Sequence, residues 1–389
     1  MNMTADSMDI VEEDEQAGRL PSLAAQTPGL DTEQEARTLR DAEAFYAASD
    51  AWGSRHILVP LDGSRRAAAA VLYAVTLARA ADARISLLAV VEVPPVQVRL
   101  PSAAGQEGDE RHVTENTAYL ESVAPPLRAR GLAVTTVVRH GNPAEEILAD
   151  TEAEDCSLVV MSTHGRTGLE RVRTGSVAQH VLRHAIVPTL VVPPGNDAST
   201  GDDAVITGVT VPLDGSDLAE EALPIATRIA TALSVPLALF RVIPSMTYQA
   251  TAGWGVGYSA YYPVSEEMER DEEHAVEEYL DAIATRLREA GLEVGTEWER
   301  SVTSGAEELI AAYLAKRPTG IAVMASHGRG GVLRWALGST AEGVLDHAPC
   351  PTLIVRAGAT TSAGHEDMRI PAVQRAGYAS HTQSEGNQS

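Results

Sequence analysis

Two short stretches of this chain have residue types and spacings able to grip a phosphorylated sugar, and each occurs twice. The first is Ser162-Thr-His-Gly165, followed after nine residues by Gly175-Ser176; it recurs as Ala325-Ser-His-Gly328 and, after nine more, Gly338-Ser339. Glycines there let backbone N–H groups close on an anion, and a serine that opens a helix stands where the positive end of the helix dipole attracts phosphate. The second stretch is Pro60-Leu-Asp-Gly-Ser64, repeated as Pro212-Leu-Asp-Gly-Ser216. Its carboxylates, Asp62 and Asp214, can accept hydrogen bonds from the two hydroxyls of a ribose. An anion loop and a sugar-binding acid at one place describe a nucleotide site.

Each feature also has a plainer reading. Ser176-x-x-Gln179 and Ser339-x-x-Glu342 have the form of capping boxes, which need no ligand. The aspartates can equally order the turn into the next helix. A capping box explains neither the upstream glycine nor its fixed spacing, and one serine can both cap a helix and donate to a phosphate oxygen. His164 and His327 lack the partner expected of a catalytic base or a metal site and read as turn residues. The chain contains no Gly-x-Ser-x-Gly elbow, no His-Glu-x-x-His helix motif and no Gly-x-x-x-x-Gly-Lys-Ser/Thr loop. Neither a general base nor an in-line nucleophile can be named, so no catalytic residue is assigned and the chain does not read as chiefly an enzyme.

The elements that must hold these residues are legible from the repeat itself. His56-Ile-Leu-Val-Pro-Leu-Asp-Gly-Ser64 returns as Gly208-Val-Thr-Val-Pro-Leu-Asp-Gly-Ser216 at an offset of 152, whereas the glycine landmarks and His184-Ala-Ile-Val-Pro-Thr-Leu-Val-Val192 return at an offset of 163. The difference is an insertion of 11 residues within the second half, in the region of the aromatic stretch 248–262. That stretch either folds over the crevice as a lid or stacks on a base, or else packs on its own domain or on the other copy. The chain thus holds two copies of one domain, 53–195 and 204–357, joined by a linker at 196–203. Within a copy, short apolar runs alternate with helical patterns, predicting strands near 56–61, 84–92, 132–139, 157–161 and 189–193. Helices are predicted near 65–82, 109–131, 143–153 and 175–185. Runs such as Leu158-Val-Val-Met161 are apolar at successive positions, as when helices cover both faces of a parallel sheet. The fold class is therefore α/β, two tandem doubly wound sandwiches with five parallel strands each, in which ligands bind beyond the carboxyl ends of the strands.

Composition narrows the classes of partner. With 54 acidic against 30 basic residues, the net charge of −24 opposes non-specific binding to nucleic acid or anionic membrane. Residues 1–52 alone carry 12 acids and three arginines and read as a solvated tail or docking arm; 358–389 lack any sustained pattern and read as a disordered tail. No run of 18 apolar residues and no secretory leader is found, which makes a cytoplasmic location the expectation. The two cysteines, Cys156 and Cys350, sit beside apolar runs and read as core packing.

The residues quoted above resemble the universal stress protein family in its tandem form, over about 300 residues. Nucleotide-binding members of that family show Gly-x-x-Gly, nine residues, then Gly-Ser/Thr after the fourth strand. This chain matches from Gly165 through Gly175-Ser176 and from Gly328 through Gly338-Ser339, with Ser162 and Ala325 in place of the first glycine. The resemblance implies ATP as ligand, with or without Mg2+, although no dedicated metal-ligand set is present. It implies that Asp62 and Asp214 approach the ribose or base and that the main chain near Val90 and Val242 meets adenine. Gly165, Gly175, Ser176 and Val177 would hold the phosphates in one copy, and Gly328, Gly338, Ser339 and Thr340 in the other. It further implies an intrachain pseudo-dimer through 189–193 and 352–356, pairing of two chains, a protein partner still to be identified, and at most slow ATP hydrolysis. The rival reading is a tandem scaffold with degenerate pockets.

Overall fold

A computed structural model describes residues 56–92, 103–153, 156–163, 174–194, 203–243, 266–302, 304–318, 320–326 and 337–356. Gly165, Gly328, His164, His327, the 248–262 stretch, both tails and most of the linker lie outside the described residues.

The first copy runs β1 (His56–Pro60), α1 (Arg65–Ala81), β2 (Arg84–Glu92), α2 (Ala103–Ala129), β3 (Val134–Gly141), α3 (Pro143–Ala153), β4 (Leu158–Ser162), α4 (Ser176–His184) and β5 (Thr189–Val192). The second runs β6 (Val209–Pro212), α5 (Asp217–Glu220), α6 (Leu223–Leu233), β7 (Leu237–Ile243), α7 (Glu266–Glu289), β8 (Val294–Arg300), α8 (Ala306–Ala315), β9 (Ile321–Ser326), α9 (Ser339–His347) and β10 (Thr352–Arg356). The alternation read from hydrophobic patterning is thus present, with α2 starting six residues earlier than the pattern at 109 suggests.

All ten strands form one sheet in the order β3-β2-β1-β4-β5-β10-β9-β6-β7-β8. Neighbours are parallel within each copy, and β5 pairs antiparallel with β10 where the copies meet. The expected pseudo-dimer through the last strands is what the chain builds. Its register is self-complementary: Leu190 faces Leu353, Val191 faces Thr352 and Thr189 faces Ile354. Equivalent leucines meet at the centre, as a two-fold relation between copies requires.

The central strands are buried throughout, because helices shield both faces. The edge strands β3 and β8 alternate in exposure; β8 presents Gly295, Glu297 and Glu299 to solvent, and charge on an exposed edge discourages pairing with other chains. One apolar cluster contains Ile57, Ala74 and Leu190 of the first copy together with Val209, Ile229 and Leu353 of the second, so the copies share a core on that face. On the other face one cluster surrounds Leu58 and Val181 of the first copy, and another surrounds Phe240 and Val344 of the second and takes in Leu182 and Val191 of the first. Helices α1 and α6 end on Asp82 (φ 51°) and Ser234 (φ 53°), left-handed caps at equivalent positions whose N–H groups return to the last turn. No helix among the described residues is long and apolar enough to cross a membrane.

Candidate functional site

The order β2-β1-β4 sets the ends of three parallel strands side by side, and β7-β6-β9 does the same in the second copy. Asp62 follows β1, Val90 lies near the end of β2 and Ser162 ends β4. Asp214, Val242 and Ala325 hold the same places in the second copy. The registers agree: Pro60 pairs with Leu88 and Pro212 with Phe240, and one residue further the N–H of Leu61 donates to the Leu88 carbonyl at 2.7 Å and that of Leu213 to the Phe240 carbonyl at 2.8 Å. The structure therefore brings Asp62, Val90 and Ser162 to the carboxyl ends of neighbouring strands, and Asp214, Val242 and Ala325 likewise in the second copy.

Each aspartate organises its turn. Asp62 Oδ1 accepts from the Ser64 N–H at 2.9 Å, and Ser64 Oγ accepts from the Ala67 N–H at 3.1 Å to cap α1. Asp214 Oδ1 accepts from both the N–H (2.9 Å) and the hydroxyl (2.6 Å) of Ser216, whose Oγ takes the Ala219 N–H at 3.1 Å. The intervening Gly63 and Gly215 have φ of 81° and 85°, in the left-handed region that favours glycine. The turn engages Oδ1 in both copies. Asp62 is half-buried and Asp214 exposed.

The serines behave differently from the capping boxes their spacing suggests. Helix α4 is capped at Gly175 and α9 at Gly338, with no side-chain hydrogen bond at either, which puts Ser176 and Ser339 one position inside the helix. The first intrahelical bonds run from Gln179 N–H to the Gly175 carbonyl and from Glu342 N–H to the Gly338 carbonyl, both 2.9 Å, as expected when the glycines are the caps. Both hydroxyls are exposed beside the bare start of a helix. Gly175 and Gly338 have φ of −62°, ordinary for any residue, so no unusual backbone angle demands glycine there. The Gly175 N–H donates to the Thr163 carbonyl at 2.7 Å, tying the start of α4 to the end of β4. Neither Ser162 nor Ala325 has positive φ, so a Cβ at either place carries no backbone strain. Val177 and Val90 pack on the same apolar cluster; Val242 packs on the corresponding cluster around Phe240 and Val344, and Thr340 is half-buried beside Ser339.

One residue at this edge escapes a motif search. Arg241 lies over the Gly215 turn of the second copy, and its signal in the sequence is only a difference between the copies, since the equivalent residue is Ala89. It stands 5.0 Å from the Tyr279 ring, whose hydroxyl donates to Glu220 Oε1 at 3.0 Å. Burial raises the Tyr279 hydroxyl above its usual range, with Glu220 adding to the shift; Glu220 itself is raised, again by burial first. Among the described residues no group of three or more His, Cys, Asp or Glu side chains could hold a metal ion. A concavity of about 610 Å³ runs along the outer face of α7 beside His274, Glu277, Glu278 and Asp281; it is open to solvent and contains none of the residues above.

The universal stress protein family is matched over residues 53–193 and again over 207–356. A universal stress protein of Methanocaldococcus jannaschii is 36% identical over 155 residues, which is 40% of this chain and 86% of that protein. One of Mycolicibacterium smegmatis is 29% identical over 308 residues, covering 77% of this chain and 96% of its own length. Among solved structures, a universal stress protein of Archaeoglobus fulgidus superposes with a TM-score of 0.56 at 20% identity, over 78% of this chain and 99% of that one, a likeness of fold.

Proposed function

We propose that this chain, which belongs to the universal stress protein family by two matches in tandem, binds one adenine nucleotide, ATP, in each copy and acts in the stress response as a regulator whose bound state alters how it meets a protein partner. The observation that carries the reading is the start of α4 and of α9: a glycine cap with no side-chain hydrogen bond, followed by an exposed serine. Unsatisfied N–H groups and the positive dipole end fit a phosphate, and the hydroxyl adds a donor. The adjoining Asp62 or Asp214 stands where a ribose would lie, and the main chain of Val90 or Val242 where the base would lie. ATP would supply the phosphates for any transfer step. The residues of this chain bind and orient it, and hydrolysis is at most slow, because no described side chain is placed as a base for water.

Calorimetric titration of the full chain with ATP tests this, alongside Gly175→Glu, Gly338→Glu and the double variant. A glutamate at either helix start occupies the phosphate's room and repels it. Two nucleotides per chain, one in each single variant and none in the double, is the expected series. Absence of binding by the folded parent chain would transfer the function to a scaffold that works through its surface.

A further inference from the structure

We infer that Arg241 contacts the ligand of the second site, donating to its phosphates, and that it makes the two sites of the chain unequal. The inference rests on the nucleotide reading above. The strand registers make Arg241 the counterpart of Ala89, one residue before Val242 and Val90 respectively. Ala89 is 1% exposed and belongs to the core, so β2 brings no charged side chain to this place in the first copy. Arg241 is half-buried, and its guanidinium lies against the backbone of the Asp214 turn: a Cβ added to Gly215 would fall 2.9 Å from Nη1 and 3.0 Å from Nη2.

Three features mark this guanidinium as built for an anion. The Tyr279 ring holds it by its face, at 5.0 Å, and the ring is itself held by the bond from its hydroxyl to Glu220. Glu220 is therefore engaged elsewhere. The donor edge of Arg241 makes no hydrogen bond or ion pair among the described residues, whereas arginines toward the same ends of neighbouring strands are neutralised, Arg139 by Asp150 and Arg300 by Glu272 and Glu273. An arginine has five N–H donors in a planar fork that matches phosphate geometry, and half-burial with those donors idle favours an anionic occupant. Asp214, exposed in the same turn, repels a polyphosphate, and Arg241 offsets that repulsion in the second copy, which Ala89 cannot do in the first.

The experiment isolates each site in the full chain. With the first site blocked by Gly175→Glu, ATP titration reads the second; with the second blocked by Gly338→Glu, it reads the first, which serves as the internal standard. Arg241→Ala in the Gly175→Glu background should weaken ATP by about tenfold to a hundredfold, the value of one or two charge-assisted hydrogen bonds. It should also flatten the salt dependence, and it should leave adenosine, which has no phosphate, bound as before. Arg241→Gln, of similar shape but neutral, should reproduce the loss and guards against a folding defect. Unchanged ATP affinity overturns the inference. So does tighter binding, which would mean that the guanidinium fills space the ligand needs, and so does an equal loss for adenosine, which would mean a structural role. Failure of the underlying nucleotide reading is seen separately, as no heat with ATP in the unmutated chain, and removes both.

Discussion

Replacing Leu353 by alanine asks whether the two copies fold as one body. Leu353 faces its own equivalent, Leu190, across the antiparallel pair β5–β10, and both are 1% exposed. Both belong to the apolar cluster that draws residues from each copy. Truncation removes most of a leucine's transfer free energy and leaves a cavity between strands that are hydrogen-bonded on both sides and cannot easily collapse. The loss should be about 2–5 kcal/mol. Because the two leucines touch, Leu190→Ala and Leu353→Ala together should depart from additivity by about 0.5–3 kcal/mol. Equilibrium urea unfolding, followed by far-ultraviolet circular dichroism and by intrinsic fluorescence, measures both. The shared core predicts coincident transitions by the two probes in the parent chain and a displaced but still single transition in Leu353→Ala. Two separated transitions, of which the variant moves only one, would refute the reasoning, as would a loss below about 1 kcal/mol.

Burial pushes the thiols of Cys156 and Cys350 up to about 11 from an ordinary 9.0. The unfolded chain therefore gives up these protons first, and the stability attached to the neutral thiols is complete below pH 9 and lost as the pH rises through 11, by about 2–3 kcal/mol for each; unfolding free energies across that window check it. Alkylation by iodoacetamide at pH 8 should be slow in the native chain and complete after unfolding, and fast native labelling would contradict the buried placement. Ser176→Ala and Ser339→Ala should each change stability by less than about 0.5 kcal/mol, since neither serine caps its helix, while weakening ATP; a loss of a full cap's worth in urea melts would restore the capping box. Arg139→Met leaves Asp150, whose side chain is 5% exposed, without a guanidinium that now bonds it at 2.8 Å. A loss of about 1.5–3 kcal/mol is expected, and no change would show that the pair is satisfied by solvent.

The candidate site was legible to the level of residues and blurred at the level of atoms. Spacing alone located Gly175-Ser176 and Gly338-Ser339 at helix starts. It leaves the serines two compatible roles, cap and phosphate donor, whereas the chain caps with the preceding glycines; the motif Ser-x-x-Gln or Ser-x-x-Glu looks the same whether its first residue is the cap or lies one place inside. Ser162 and Ala325, departures from a glycine pattern, could be judged only once their backbone angles were known. Arg241 was invisible because a single arginine has no periodicity and forms no motif; what makes it notable is Gly215, 26 residues earlier, and Tyr279, 38 residues later.

The duplication, the order of strands and helices and the depth of each central strand were determined by the sequence alone. Local patterns of apolar residues report which faces must leave water, and two copies of a pattern must make two copies of a fold. The tertiary structure decided what depends on groups distant in the chain. It joined the copies into one ten-stranded sheet with a common core, set Leu190 against Leu353, and stacked a guanidinium on a tyrosine beside one aspartate and not the other. Hydrophobic burial is additive along a sequence and can be read from it, while hydrogen bonds and charge contacts depend on direction and distance, which exist only after the chain has folded.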